Sequence, residues 1–333
     1  MNIFYFSSDA FASVMATSIV SVLENNKHAQ SIVFYVVDDG ISAEKKKKLQ
    51  MMVERYVSLA YERKIIYLDA PDPEDILKYP FKSRYQMGHS YFRMCIGTLL
   101  PKDVHRVLCL DSDTLVLRDL EELWNIDLGD NIMAGVSDCM NVQKYRRQFR
   151  MDDSDIYCNA GMFLVDLDKW RIHKIQDKII KRIFDQNGNV FFFEQTLMNW
   201  SCKGKILRLE PKYNVYTLFW AFTYENLMIW RRPLHFYSKE EVNKAKQNPA
   251  IIHYTRNFYM MSRPWIEDCD HSMTDEYRKY MKLTPWPELK PDQRSKSQVL
   301  KYKLWHSIPE RTLCRLANNI YNNVRPKLWW KNE

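Results

Sequence analysis

The chain has 333 residues, 46 % of them hydrophobic and 14 % aromatic, enough for a large core and leaving no segment disordered by composition. Its net charge of +8 sits at one end, with nine Lys/Arg against two Asp/Glu from residue 294 onward, so a broadly basic surface is excluded for the nearly neutral body before it. No run approaches the ~18 apolar residues of a membrane span; the start MNIFYFSSDAF lacks a secretory signal, and seven Cys without CxxC or metal-type spacing point to reduced thiols in a cytosolic setting.

In chain order, IFYF (3–6) reads as a short strand, followed by a helix with Phe11, Met15, Ile19, Val22 and Leu23 on one face. IVFYVV (32–37) is a second strand, and ISAEKKKKLQMMVERY a helix with Ser42 as its N-cap. KIIYLD (64–69) is a third strand, residues 88–99 a helix, and RVLCL (106–110) a fourth strand. Strands alternating with helices imply βαβ units and a mostly parallel sheet, buried on both faces, hence the continuous apolar runs. Short strands and helices fill residues 130–265. Prolines at 285, 287 and 291 make LTPWPELKP a stiff extended linker. The expected organisation is an α/β body over 1–280, a Pro-rich linker over 281–293 and a basic tail over 294–333.

Open parallel sheets bind ligands at the carboxyl ends of their strands. The first strand ends in Ser7-Ser8-Asp9, and the fourth in Asp111-Ser112-Asp113. Two carboxylates one residue apart repel each other unless a cation lies between them. A turn in which Asp caps the next helix would also account for the pair. As oxygen ligands they suit Mg2+ or Mn2+, and an ion held by few protein groups can also hold a diphosphate. The same LDSDTL resembles the first motif of haloacid-dehalogenase-type phosphohydrolases, where the first Asp is a nucleophile. That motif normally ends the first strand of its domain, whereas here more than 100 residues precede it. A non-catalytic sugar-nucleotide-binding protein is the remaining alternative.

Six stretches in order, IFYFSSDAFA, SYFRMCIGTLLP, VLCLDSDTLVLRDLEELW, YCNAGMFLVDLDKW, FFEQTLMN and IIHYTRNFYMMSRPW, resemble glycosyltransferase family 8 over roughly residues 1–268. The resemblance is to the retaining bacterial galactosyl- and glucosyltransferases of lipopolysaccharide and capsule assembly. It implies a GT-A-type fold, a UDP-hexose donor, and a saccharide or lipid-linked glycan acceptor. It also implies metal ligation by Asp111, Asp113 and His253, where a lone histidine on a strand-like run would more often be a core residue. An imidazole beside two carboxylates suits Mn2+ better than Mg2+.

On the same basis, Ser7, Ser8 and Asp9 face the base and ribose, although the family usually shows an acidic pair followed by Asn where this chain has Ser8, Asp9 and Ala10. Arg93 and Ser112 lie near the donor, and Asn159, Ala160 and Gly161 carry the family's NAG. Otherwise the three would form a turn before the strand MFLV. Glu194 binds donor-sugar hydroxyls and Gln195 sits under the anomeric carbon. Asp138 contacts the acceptor. Arg263 contacts the diphosphate, replacing a family Lys, with Arg256 either beside it or in solvent. Gln195 is uncharged, which favours same-face attack over double displacement. The aromatic segment 212–230 is an acceptor platform or core.

In the tail, RTLCRLANNIYNNVR places Leu313, Leu316, Ala317, Ile320, Tyr321 and Val324 at helical spacing, with Arg311, Arg315, Asn318 and Asn322 elsewhere on the wheel. Lys327, Trp329, Trp330 and Lys331 follow. A basic amphipathic helix with Trp suits an anionic membrane surface, here the inner face of the cell membrane, or else packs on the body. Nothing besides charge favours nucleic acid.

Overall fold

The structure, a computed structural model, describes residues 1–71, 88–140, 143, 151–188, 190, 192–256, 259 and 262–325. The sequence-predicted strands form as β1 (Asn2–Ser8), β2 (Ser31–Asp39), β3 (Glu62–Asp69) and β4 (Arg106–Leu110). With β6 (Met133–Ser137), β7 (Cys158–Asp166) and β8 (Ile206–Arg208) they make one sheet in the order β3-β2-β1-β4-β7-β6-β8. All neighbouring strands run parallel except β7, which is antiparallel to both β4 and β6. The mostly parallel sheet flanked by helices is the α/β architecture the sequence implies.

Successive side chains of these strands alternate between two cores, as the period of two requires. Ile3, Tyr5, Leu108 and Leu110 enter one, and Phe4, Val107 and Cys109 the other. The first core is covered by helix α1 (Ala12–Asn25), which is buried from Ala12 through Leu23 apart from Ser13. The sequence reading gave α1 a single apolar face beginning at Phe11. Phe11 instead lies in the 3-10 turn Asp9–Phe11, 40 % exposed. The opposite side of α1 packs under a second sheet of β5 (Thr114–Val116), β10 (Ile251–His253) and β9 (Val215–Tyr216), where Val14 meets Leu115 and Ile252. A helix covered on both sides must satisfy its polar side chains internally. Ser18 is hydrogen-bonded to Tyr5 at 2.8 Å and to Thr114 at 2.9 Å, and the Val116 N–H donates to Ser21 Oγ at 2.9 Å. These hydroxyls fix β5, and with it the Asp111–Asp113 turn, against α1.

Three further details differ from the sequence reading. The helix expected over 88–99 is a 3-10 segment Gly88–Cys95 followed by one α-turn, Ile96–Leu99. Asn159, Ala160 and Gly161 lie inside β7, so the turn weighed as the alternative to the family's NAG does not form. A helix the sequence reading did not place, Lys296–Ser307, follows the Pro-rich segment.

The Pro-rich segment bridges to the body: the Lys290 N–H donates to Trp265 O at 2.8 Å and Glu267 N–H to Lys290 O at 3.0 Å. Helix Glu310–Asn319 and the π-helical turn Ile320–Val324 after it pack on helix Tyr224–Arg231, burying Leu313, Cys314 and Tyr321. Asn318 and Asn322, assigned from the wheel to other faces, are buried and donate to the Trp230 carbonyl at 2.8 and 3.1 Å. That carbonyl lies in the last turn of its helix, where no backbone N–H of the same helix reaches it. Leu316, Ile320 and Val324 remain exposed, as do Leu300 and Leu304. Lys327, Trp329, Trp330 and Lys331 lie outside the described residues. Among the described residues, no helix is long and apolar enough to cross a membrane. All seven cysteines are unpaired.

Candidate active site

The carboxyl ends of β1 and β4 lie side by side, because these strands pair in parallel. Ser112 seals that edge by donating from Oγ to the Phe6 carbonyl at 2.8 Å. Asp111 and Asp113 flank it, and His253, the last residue of β10, reaches both. His253 Nε2 is 3.3 Å from Asp111 Oδ2 and 3.2 Å from Asp113 Oδ1. One ligand atom from each of the three lies within 4.8 Å of the others.

The histidine is held from behind. Its Nδ1 is 3.2 Å from Asn159 Oδ1, which also accepts from the Gly161 N–H and from Asn214 Nδ2, both at 3.0 Å. An amide oxygen has no proton to give, so Nδ1 carries the hydrogen and Nε2 turns its lone pair toward the aspartates when the ring is neutral. Gly161 leaves room for the ring. A Cβ there would lie 2.0 Å from His253 Nδ1.

The charges balance locally. Arg93, entirely buried, donates from one guanidinium nitrogen to Asp111 Oδ1 and from another to the Ala160 carbonyl at 2.6 Å. Burial opposes the charge on Asp111, yet Arg93 and His253 hold its carboxyl far below the usual range. Burial likewise opposes charge on His253, but Asp113 and Asp111 raise it to about 9. Arg263 closes the far side, 3.3 Å from Asp113 Oδ2. Two carboxylates and an imidazole whose lone pair is aimed at them once the ring gives up its proton form a donor set that fits a hard or borderline divalent cation, with the two guanidinium groups enclosing it.

A second network adjoins the first. Asp138 Oδ2 accepts from Asn159 Nδ2 at 2.9 Å and from Gln195 Nε2 at 3.3 Å. Gln195 Oε1 in turn accepts from the Ala160 N–H at 2.9 Å. Asp138, expected at the acceptor, is therefore tied to Asn159 at the start of β7 and to Gln195. Gln195 and Glu194 occupy the first turn of helix Phe193–Ser201, entered through Phe192 and Phe193 at φ values of +54° and +27°. Side-chain-bearing residues pay for that backbone, on the order of 1–3 kcal/mol each. The strain lies next to the pair expected to face the sugar.

Ser7 and Ser8 end β1; Ser7 is buried, its hydroxyl donating to Ser8 O at 3.0 Å. Asp9 is engaged with α2 (Ala43–Glu54): its carboxylate meets Lys45 at 2.6 Å and accepts the Ser42 N–H at 3.0 Å. Ser42 does stand at the N-cap position, but its side chain makes no capping hydrogen bond. Arg256 is exposed and shares a cavity wall with Arg263.

The sequence matches the family model "Glycosyl transferase family 8" over residues 2–269. This chain belongs to glycosyltransferase family 8. General stress protein A of Bacillus subtilis is 26 % identical over 289 residues, covering 86 % of this chain and 94 % of that protein. Lipopolysaccharide 1,2-glucosyltransferase of Escherichia coli is 22 % identical over 309 residues, covering 91 % and 83 %. Among solved structures, the galactosyltransferase LgtC in complex with donor and acceptor sugar analogs superposes with a TM-score of 0.67 at 23 % identity, covering 90 % of this chain and all of that one. The fold is thus the GT-A type, and the family-8 chain is a glycosyltransferase. Membership sets aside the phosphohydrolase reading of LDSDTL. In this glycosyltransferase the turn bearing Asp111 follows the fourth strand and faces an imidazole.

One site residue was not singled out from the sequence. Asn214, fully buried, sits in the aromatic segment KYNVY and supplies one of the three donors to Asn159 Oδ1. Its amide between the aromatic and β-branched residues of YNVY was the available signal, since burying such a group is costly without a hydrogen bond.

Proposed function

We propose that this family-8 glycosyltransferase moves a hexose, galactose or glucose, from a UDP-sugar to a saccharide or lipid-linked glycan acceptor with retention at the anomeric carbon. The observation that carries the reading is the convergence of Asp111, Asp113 and His253, with Nδ1 of the histidine tied to Asn159. Those three would hold a divalent cation, Mn2+ or Mg2+, whose charge would offset that of the leaving diphosphate.

The chain's own groups have separable roles. Arg263 borders the metal-ligand set and is suited to bind a diphosphate bidentately. Ser7, Ser8 and Ser112 line the strand ends where the nucleoside would lie, and Asp9 braces that edge through Lys45. Asn159, Ala160 and Gly161 offer backbone and amide contacts to the sugar. Gln195 is uncharged and hydrogen-bonded at both ends of its amide, which suits it to orient the sugar and not to attack it. Glu194 then binds sugar hydroxyls, and attack comes from the leaving-group face, with a phosphate oxygen taking the acceptor's proton. The Asp138 carboxylate, shared by Asn159 and Gln195, would register the acceptor against the sugar. The tail's exposed Leu300, Leu304, Leu316, Ile320 and Val324, among its basic residues, fit peripheral attachment to an anionic membrane surface on the cytoplasmic side.

The test is donor hydrolysis without acceptor. Slow release of UDP from UDP-glucose or UDP-galactose, dependent on Mn2+ and lost in Asp113→Asn, supports the reading and names the sugar. Absence of release from every UDP-hexose, together with no Mn2+-dependent UDP binding, defeats it.

A further inference from the structure

A cavity of about 530 Å³ lies beside Arg263, large enough for a nucleoside and its first phosphate. Phe11, Trp265 and Arg263 line it from the body of the fold. Lys290, Arg294 and Gln298 line it from a segment that begins about twenty residues after the family match ends at 269. Arg263 links the cavity to the site, since its guanidinium also contacts Asp113. The outer wall is anchored. Lys290 is bridged by backbone hydrogen bonds to Trp265 and Glu267, and its Nζ donates to the Ala10 carbonyl at 3.0 Å. Asp292 holds Arg294 Nε at 2.7 Å, and the Arg294 guanidinium lies 5.3 Å from the Tyr302 ring centroid.

We propose that residues 290–298 form the outer wall of the donor site, with Arg294 and Gln298 contacting the nucleoside half of the nucleotide. The inference rests on the donor reading above. A ligand whose diphosphate lies beside Arg263 and Asp113 would carry its nucleoside along the strand ends at Ser7 and Ser8, and Phe11, in the turn that follows them, brings this cavity to that end of the site. The cavity supplies what a nucleoside needs: aromatic surface from Phe11 and Trp265, and hydrogen-bond donors from Arg294 and Gln298. The Pro-rich segment and the start of helix Lys296–Ser307 then belong to substrate recognition.

Binding of UDP, UMP and inorganic pyrophosphate is measured by calorimetry on the full chain with Mn2+, for the unaltered protein, Arg294→Ala and Gln298→Glu. Gln298→Glu keeps an oxygen for the Ser295 N–H that Gln298 Oε1 now accepts at 2.8 Å, so the helix start is preserved if Arg294→Ala proves unstable. Removing a charge-assisted contact should weaken UDP and UMP roughly 10-fold, while pyrophosphate binds as it does to the unaltered chain. UDP affinity unchanged in both variants, or pyrophosphate weakened as much as UDP, overturns the proposal. Failure of the unaltered chain to bind UDP overturns the donor reading itself, and this inference with it.

Discussion

Asn159 is the residue on which the site turns. Its side-chain oxygen accepts from His253, Gly161 and Asn214, while its nitrogen donates to Asp138. One amide therefore sets the histidine tautomer on one side and the carboxylate–glutamine network on the other. The space for that arrangement comes from the missing side chain at 161. We expect Gly161→Ala to displace the imidazole and break its bond to Asn159, weakening Mn2+ binding by roughly 10- to 100-fold as loss of outer-sphere partners does. Calorimetric titration of the dialysed protein checks this, with the circular dichroism spectrum unchanged. At this scale much was legible. Asp111 and Asp113 stood out because two carboxylates closing a buried strand need a reason, whereas His253 was assigned only through the resemblance of IIHY to the family motif. Asn214 did not stand out, because its role depends on β9 lying beside β10, a pairing no local pattern encodes.

At the level of elements, the strands were legible because each is a short apolar run closed by polar residues. RVLCL is β4 residue for residue. α1 misled the reading because a helix covered on both sides shows no single face, and its buried Ser18 and Ser21 find their partners in distant β1 and β5. Helix Lys296–Ser307 escaped because none of its residues is buried, so no apolar stripe marks it. The segment following β10 carries a pH-sensitive contact. His271 is buried, and burial pushes it down to about 4, while its Nδ1 accepts the Met273 N–H at 3.1 Å. In the unfolded chain the ring takes up a proton near 6.5. The neutral, buried form thus stabilises the fold fully above that pH, and the contribution is lost as pH falls toward 4, by roughly 3 kcal/mol in all. Urea unfolding at pH 7.5 and pH 4.5 should show the decline, and His271→Asn should flatten it. Equal slopes in both proteins would assign the effect elsewhere.

Across the whole molecule, the tail has two faces with opposite expectations. Leu313 and Tyr321 are inside, against helix Tyr224–Arg231, whereas Leu304 and Leu316 are outside, 58 % and 52 % exposed. Leu313→Ala should cost on the order of 2–5 kcal/mol of stability, seen as a lowered urea midpoint. Leu304→Ser with Leu316→Ser should leave that midpoint in place and weaken flotation with anionic vesicles but not with zwitterionic ones. Removing residues 294–333 would merge the two effects, because it uncovers Trp230 and takes Asn318 and Asn322 from its carbonyl. The sequence could separate tail from body by charge, since nine cations cluster there. It could not show which half of the apolar stripe is covered, because that depends on the surface of a distant helix.

The enclosure of Arg93 constrains how this protein can breathe. A guanidinium with 1 % exposure, joined to both Asp111 and the Ala160 carbonyl, cannot be lifted out without stranding a bare carboxylate beneath it. Arg93 is therefore built into the floor of the site, beneath Asp111 and Ala160. On the donor reading above, entry and release then fall to the side of the site where Arg256 is exposed to water.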